Sequence, residues 1–72
     1  MQLTVNGKRE KMPDRLSVFG LLKERKVGKP EMVSIELNKK ILRRNEYEET
    51  YLKENDRVEI LFFVGGGAQR GG

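Results

Sequence analysis

The sequence predicts a single α+β domain in which one helix covers one face of a mixed sheet. Apolar and polar residues alternate in three separate stretches of the 72-residue chain, as they do in half-buried strands. Between the first two of these stretches, apolar residues recur three and four positions apart, which is the spacing of a helix. A chain of this length buries only about 60% of the surface that its unfolded form exposes, so the predicted core is small.

The first alternating stretch predicts a β-hairpin. Leu3 and Val5 have polar neighbours on both sides, which is typical of a strand with one buried face. Asn6 and Gly7 then favour a tight turn, because both residue types tolerate positive φ angles. Residues 8–12 are expected to form the returning strand.

The predicted helix begins after Ser17, whose side chain can accept a hydrogen bond from the first turn. Val18, Leu21 and Leu22 would form its buried face. Gly20 lies inside this helix, where glycine costs roughly 1 kcal/mol relative to alanine. We therefore expect either close packing against Gly20 or a short, easily frayed helix.

The second alternating stretch predicts a strand with Val33, Ile35 and Leu37 on one face. The turn-prone residues 38–40 follow it, and residues 41–42 are expected to return to the core. Between residues 45 and 56 the pattern is irregular. It favours one helical turn at 45–47, a brief edge strand at 51–52 and a tight turn at 53–56.

The third alternating stretch predicts the last strand, which together with the first is expected to be central in the sheet. Its two faces would carry Val58, Ile60, Phe62 and Val64 on one side, and Arg57, Glu59, Leu61 and Phe63 on the other. The strand leads directly into a segment rich in glycine. We therefore predict a folded domain over residues 1–64 and a flexible glycine-rich tail over residues 65–72.

The composition limits the possible functions. The chain has no histidine and no cysteine, so it lacks the commonest general base, the thiol nucleophile and the usual zinc ligands. We expect neither a catalytic residue nor a bound metal. Glu46, Glu48 and Glu49 are interpreted as a solvated charged surface. No apolar run approaches the ~20 residues that span a bilayer, and the start lacks the order of a signal peptide, so we expect a cytoplasmic protein without membrane contact.

The chain ends in "FFVGGGAQRGG", which places five of its eight glycines in the last eight residues. A segment without side chains can enter a narrow channel and let a partner approach its backbone closely. A carboxylate is a poor acyl donor, so a partner enzyme would have to activate the terminal carboxylate with ATP. The alternative is a disordered or truncated tail without a function.

Three segments carry a resemblance to a known family: "TVNGK", "VSIELNKKILRR" and "NDRVEILFFVGGG". They resemble the sulfur carriers of thiamine biosynthesis, which have the β-grasp fold of the ubiquitin-like superfamily. The resemblance covers residues 1–67 and implies four to five strands packed on one main helix. The family usually has Gly-Asp before the last strand, where this chain has Asn55 and Asp56; asparagine also tolerates the left-handed conformation.

The resemblance also implies a mechanism and its partners. A ubiquitin-activating-like adenylyltransferase would use ATP to adenylate the terminal glycine, and sulfur from a cysteine desulfurase or similar donor would give a thiocarboxylate. The carrier would donate that sulfur to thiazole synthase or another acceptor and would bind no cofactor itself. The folded domain would serve for recognition, with partners docking at Leu61 and Phe63 on the outward face, beside Val64 and Gly65.

The chain departs from the family by continuing past the glycines that follow "FV". Five further residues, at ~3.3 Å each when extended, would carry the carboxylate roughly 17 Å beyond Gly67. Either a peptidase trims the tail so that Gly66 and Gly67 form the working end, or partners are adapted to the longer tail and Gly71 and Gly72 form it. Arg70-Gly71-Gly72 has the form of the ubiquitin terminus, which favours the second possibility. Related carriers in cysteine, homocysteine or metal-cofactor pathways can require such trimming, which favours the first.

Other functions fit part of the pattern. Carriers for molybdopterin, cysteine or homocysteine synthesis share the implied fold and tail chemistry, and a ubiquitin-like modifier would instead join its glycine to a lysine. A nucleic-acid-binding module is suggested by basic residues close to two tyrosines. These residues are Lys39, Lys40, Arg43, Arg44, Tyr47 and Tyr51. The neighbouring glutamates argue against this last function, and no nucleic-acid partner is expected.

Overall fold

Five strands and one helix form the domain in the computed structural model, which describes residues 1–62. The helices and strands are β1 (Gln2–Val5), β2 (Lys8–Lys11), α1 (Val18–Glu24), β3 (Val33–Leu37), β4 (Lys40–Ile41) and β5 (Arg57–Phe62), with 3₁₀ turns at Pro30–Met32 and Arg44–Glu46. The strand order is β2-β1-β5-β3-β4, and only the β1–β5 pairing is parallel among these strands. The mixed sheet with one helix confirms the predicted α+β class, and β5 lies at its centre with β1 beside it.

The first hairpin forms as predicted. Asn6 and Gly7 have φ angles of 50° and 82°, which are the positive values that this turn requires. β2 ends at Lys11, one residue earlier than expected, although the Met12 amide still donates to the Met1 carbonyl at 2.8 Å. The Asn6 side chain also accepts a hydrogen bond from the Ile60 amide at 2.7 Å, so it continues the pairing between β1 and β5 where the backbone of β1 turns away.

The helix has the predicted start and the predicted buried face. Ser17 Oγ accepts a hydrogen bond from the Gly20 amide at 3.0 Å, and Val18, Leu21 and Leu22 are fully buried. The close packing and the short helix expected at Gly20 are both present. The helix has only seven residues, and a Cβ at Gly20 would lie 2.8 Å from Cδ1 of Leu16.

The helix ends in a Schellman motif with a lysine at the position that usually holds glycine. Lys26 has a φ angle of 61°, and its amide donates to the Lys23 carbonyl at 2.9 Å. The Val27 amide donates to the Leu22 carbonyl at 2.9 Å, and the Val27 side chain packs against the core. These two hydrogen bonds satisfy carbonyl groups that a helix end otherwise leaves unpaired.

The core lies between α1 and one face of the sheet. Its buried apolar residues are Leu3, Val5, Val18, Leu21, Leu22, Val33, Ile35, Tyr47, Leu52, Val58 and Ile60. The segment 47–52 crosses the start of the helix, because the Val18 amide donates to the Thr50 carbonyl and the Phe19 amide to the Tyr47 carbonyl. The edge strand expected at 51–52 is reduced to a single bridge between Tyr51 and Ser17, and Leu52 points into the core.

Two apolar side chains do not lie where the alternation places them. Ile41 was expected in the core, but it is 71% exposed because its register with Glu36 puts it on the sheet face away from the helix; Leu42 packs against the core as expected. Phe62 is 57% exposed although it shares the core-facing side of β5. Phe62 is the last residue of β5 and pairs with Val33, the first residue of β3, so it lies at the end of the sheet, at the margin of the core.

No helix within residues 1–62 is long and apolar enough to cross a membrane.

Candidate functional site

The candidate site is the face of the sheet that points away from α1, which we call the open face. Of the residues predicted to carry or present sulfur or to dock partners, Leu61 is the one that the structure describes. Phe63, Val64 and the tail glycines (Gly65, Gly66, Gly67, Gly71 and Gly72) lie outside the described residues. The open face is therefore built from the strands that surround Leu61.

The open face carries two exposed apolar side chains, Leu61 and Ile41. Leu61 lies opposite Ser34 on the neighbouring strand and is 51% exposed. Ile41, on the adjacent edge strand β4, belongs to the same face. Leu61 therefore lies on the outward side of β5, as the alternation predicted, and it is available for contact with a partner.

A pair of carboxylates lies next to Leu61. Glu36 of β3 and Glu59 of β5 are directly opposite one another in the antiparallel register, and both side chains are half-buried. Among residues 1–62, neither glutamate forms an ion pair within 4.0 Å. Like charges placed directly opposite each other are in general unfavourable in a sheet.

The next row of the open face carries positive charge. Arg57 lies two positions before Glu59 on β5. It pairs with Thr4 of β1, which in turn pairs with Arg9 of β2. Lys39, in the turn between β3 and β4, lines the same surface cavity as Arg57. This cavity has a volume of about 350 Å³, and its lining is Glu36, Lys39, Arg57, Glu59 and Leu61.

A hydrogen-bonded group that the alternation pattern does not reveal fixes the start of β5. The buried Asp56 carboxylate accepts hydrogen bonds from the Asn38 side chain at 3.0 Å and from the Lys53 amide at 2.8 Å. The Asn38 side-chain oxygen accepts a hydrogen bond from the Arg57 amide at 2.9 Å. Asn55, with a φ angle of 70°, adopts the left-handed conformation expected for it. The only sequence signal for this group was the turn-prone character of the residues involved.

The remaining candidate residues lie away from the open face or in the core. Glu46, Glu48 and Glu49 are exposed, as expected of a solvated surface. Tyr47 is only 3% exposed, so it cannot stack on a base and the nucleic-acid hypothesis loses one of its two aromatic residues. Burial raises the pKa of the Tyr47 hydroxyl above its usual value of 10.0, against the smaller lowering effects of Arg44 and a hydrogen bond with the Ile35 backbone.

Comparison with known proteins places the chain in a family. The sequence model of the ThiS family matches residues 2–67. The crystal structure of a thiamine biosynthesis protein (ThiS) from Geobacter metallireducens superposes with a TM-score of 0.80 at 43% identity, covering 93% of this chain and 100% of that one. The NMR solution structure of a thiamine biosynthesis protein from the same organism also gives 0.80 and 43%, covering 93% of this chain and 88% of that chain. The fold is therefore the β-grasp fold of these ThiS structures.

Curated relatives are much longer than this chain. A thiazole synthase of Magnetococcus marinus is 33% identical over 67 residues, which are 93% of this chain and 20% of the relative. A thiazole synthase of Paramagnetospirillum magneticum is 30% identical over 70 residues, which are 97% of this chain and 21% of the relative. The chain thus spans about a fifth of the length of these two relatives.

Proposed function

Because the chain belongs to the ThiS family, we propose that it is a sulfur carrier for thiamine biosynthesis, and a co-substrate of other enzymes instead of an enzyme itself. The observation that carries this proposal is the match over residues 2–67, which extends from the first strand to the glycines after "FV". The resemblance of the fold to structures named thiamine biosynthesis proteins supports the same pathway.

The proposed chemistry takes place on the terminal glycine. The carboxylate attacks ATP in the active site of an activating enzyme, which gives an acyl-adenylate and pyrophosphate. Sulfide can then replace AMP directly and leave a thiocarboxylate. A persulfide from a cysteine desulfurase would instead give an acyl disulfide with release of AMP, and a thiol would reduce this to the thiocarboxylate while forming a new disulfide. Without histidine or cysteine, the chain itself offers no usual base or thiol for these steps, so the partner enzymes must supply them.

Thiazole synthase is the proposed acceptor of the sulfur. Two proteins named thiazole synthase contain a segment similar to nearly all of this chain within about a fifth of their length. A carrier-like segment and a thiazole synthase in one polypeptide would bring donor and acceptor together at high effective concentration. This arrangement supports the thiamine pathway over a molybdopterin or amino-acid pathway.

The open face is the proposed docking surface for these partners. Leu61 offers exposed apolar area on the strand that leads into the tail, and the neighbouring charged rows can set the orientation of a partner. Phe63, Val64 and Gly65, which follow on the chain, are proposed to extend this surface toward the tail. A partner bound here would hold the start of the tail at a fixed position.

The intact mass of the untagged protein tests the proposal. The protein from its native host is measured before and after incubation with its activating enzyme, ATP and sulfide. A gain equal to the difference between sulfur and oxygen is expected on the terminal carboxyl group. The gain on a species ending at Gly67 would identify a trimmed carrier, and the gain on Gly72 would identify the long tail as the working one. No gain on either species would refute the sulfur-carrier function.

A second candidate function is a ubiquitin-like protein modifier, favoured by the Arg70-Gly71-Gly72 ending. In this case the activated glycine would pass to a lysine amine of another protein. Isopeptide-linked adducts in a lysate of the native host would support it. A protein that accumulates only as the free thiocarboxylate would contradict it.

A further inference from the structure

The opposed glutamates of the open face indicate what the docking partner must carry. Resting on the proposed function, we propose that the activating enzyme inserts a cationic side chain, arginine or lysine, between Glu36 and Glu59 while its apolar surface covers Leu61. Lys39 and Arg57 line the same cavity, but among residues 1–62 neither forms an ion pair with Glu36 or Glu59 within 4.0 Å, and the partner's cation would supply that contact. Both carboxylates line one cavity with Leu61, so one side chain can reach them together.

The first argument is the cost of the pair to the free protein. Glu36 and Glu59 are directly opposite in the register, half-buried, and without an ion pair in the described part of the chain. Like charges are usually avoided in directly opposed positions of a sheet. Exceptions to such folding preferences are concentrated at functional sites. A bound cation would remove the repulsion.

The second argument is the contrast between this pair and the charge of the whole chain. The protein has fifteen Lys and Arg against eleven Asp and Glu, a formal net charge of +4, so its general field attracts acidic partners. Two adjacent carboxylates on the open face do not contribute to the attraction of an acidic partner. They would instead select one orientation of a partner that has already been brought close.

The third argument is the order of the charges along the strands. The carboxylate row lies between the apolar residue Leu61 and the basic row of Arg57 and Lys39, with alternate residues of a strand spaced about 7 Å apart. A partner displaced by one row would take its cation away from the two glutamates and bring it closer to Arg57 and Lys39, which also line the cavity. The order of charges therefore defines the position at which a partner docks on the open face. The partner fits best when it also places a carboxylate opposite Arg57 and Lys39.

The activating enzyme is the partner that this recognition suits. Thiazole synthase can be joined to a carrier-like segment in one chain, as the matched relatives indicate, and tethered partners need little recognition surface. An enzyme that meets the carrier from solution must recognise its surface. Activation is also the first step of the proposed sequence, before any sulfur is present on the tail.

The test compares E36Q, E59Q and the double variant with wild type as substrates for ATP–pyrophosphate exchange by the purified activating enzyme. We expect the KM for the double variant to rise about tenfold or more with kcat unchanged, because docking is weakened and the tail is not altered. The matched control is E48Q/E49Q, which neutralises two exposed glutamates away from the open face and should leave KM unchanged. Thermal unfolding of the double variant should occur at or above the wild-type temperature, since the repulsion is gone.

Each outcome of this experiment has a distinct meaning. If wild type supports exchange and the double variant has an equal or lower KM, the cation pocket is refuted while the carrier function stands. If wild type supports no exchange at all, the proposed function fails and the pocket proposal fails with it. A raised KM together with a lowered unfolding temperature would assign the glutamates a structural role and would also overturn the proposal.

Discussion

Tyr47 is the residue at which burial most clearly changes a titration. The Tyr47 residue is buried, and this burial raises the pKa of its hydroxyl above 10.0. The folded protein therefore holds the Tyr47 proton to a higher pH than the unfolded chain does. The resulting stability is fully present below pH 10 and is lost as the pH rises through the folded-state pKa.

Replacement of Tyr47 by phenylalanine should remove this dependence. The free energy of unfolding of wild type should fall more than that of Y47F between pH 9 and pH 11, as measured by urea denaturation. Y51F is the matched control, because it removes the hydroxyl group of a tyrosine whose side chain is 58% exposed. An equal fall for wild type and Y47F would show that the buried hydroxyl does not control stability at high pH.

At the scale of the elements, side-chain patterns predicted the strands and the start of the helix but did not predict how segment 47–52 crosses the helix. The alternation of apolar residues predicted β1, β3 and β5, and Ser17 predicted the start of α1, because burial and capping leave direct patterns. The crossing of segment 47–52 over the helix left no such pattern. Its hydrogen bonds join backbone groups far apart in the sequence, and these do not depend on side-chain type.

The helix end offers a stabilising substitution. Lys26 has a φ angle of 61°, where a side chain is strained and glycine is preferred. We expect K26G to increase the free energy of unfolding by about 1 kcal/mol. K29G is the control, because Lys29 is extended with a φ angle of -130° and gains nothing from glycine. Urea denaturation checks both, and equal effects of the two substitutions would argue against strain at Lys26.

The whole molecule combines a small core on one side of the sheet with a charged, partly apolar surface on the other. The sequence predicted that Leu61 would face outward, since alternation alone decides the side of a strand. It did not predict that Glu36 would oppose Glu59, because the pairing of β3 with β5 and its register come from tertiary structure. For the same reason Ile41 was assigned to the wrong face.

Substitution of Leu61 by aspartate should weaken docking of a partner while leaving the domain folded. Leu61 is exposed, so we expect L61D to lower the thermal unfolding temperature only slightly, although it adds a third carboxylate to the cavity of Glu36 and Glu59. Its complex with the proposed activating enzyme should weaken at least tenfold in a calorimetric titration, because a charge would replace apolar contact area. Y51D, which alters an exposed residue outside the sheet, should bind like wild type. Equal affinity of L61D and wild type would exclude Leu61 from the docking surface.

The parallel pairing of β1 with β5 has a consequence for folding during synthesis. The register joins Thr4 to Arg57, so the strand at the centre of the sheet pairs with residues translated at the very start of the domain. Contacts between such distant parts of a chain form late and slowly. The ribosome must therefore pass Phe62 before the core can close, and a nascent chain that lacks β5 should remain unfolded and open to proteases.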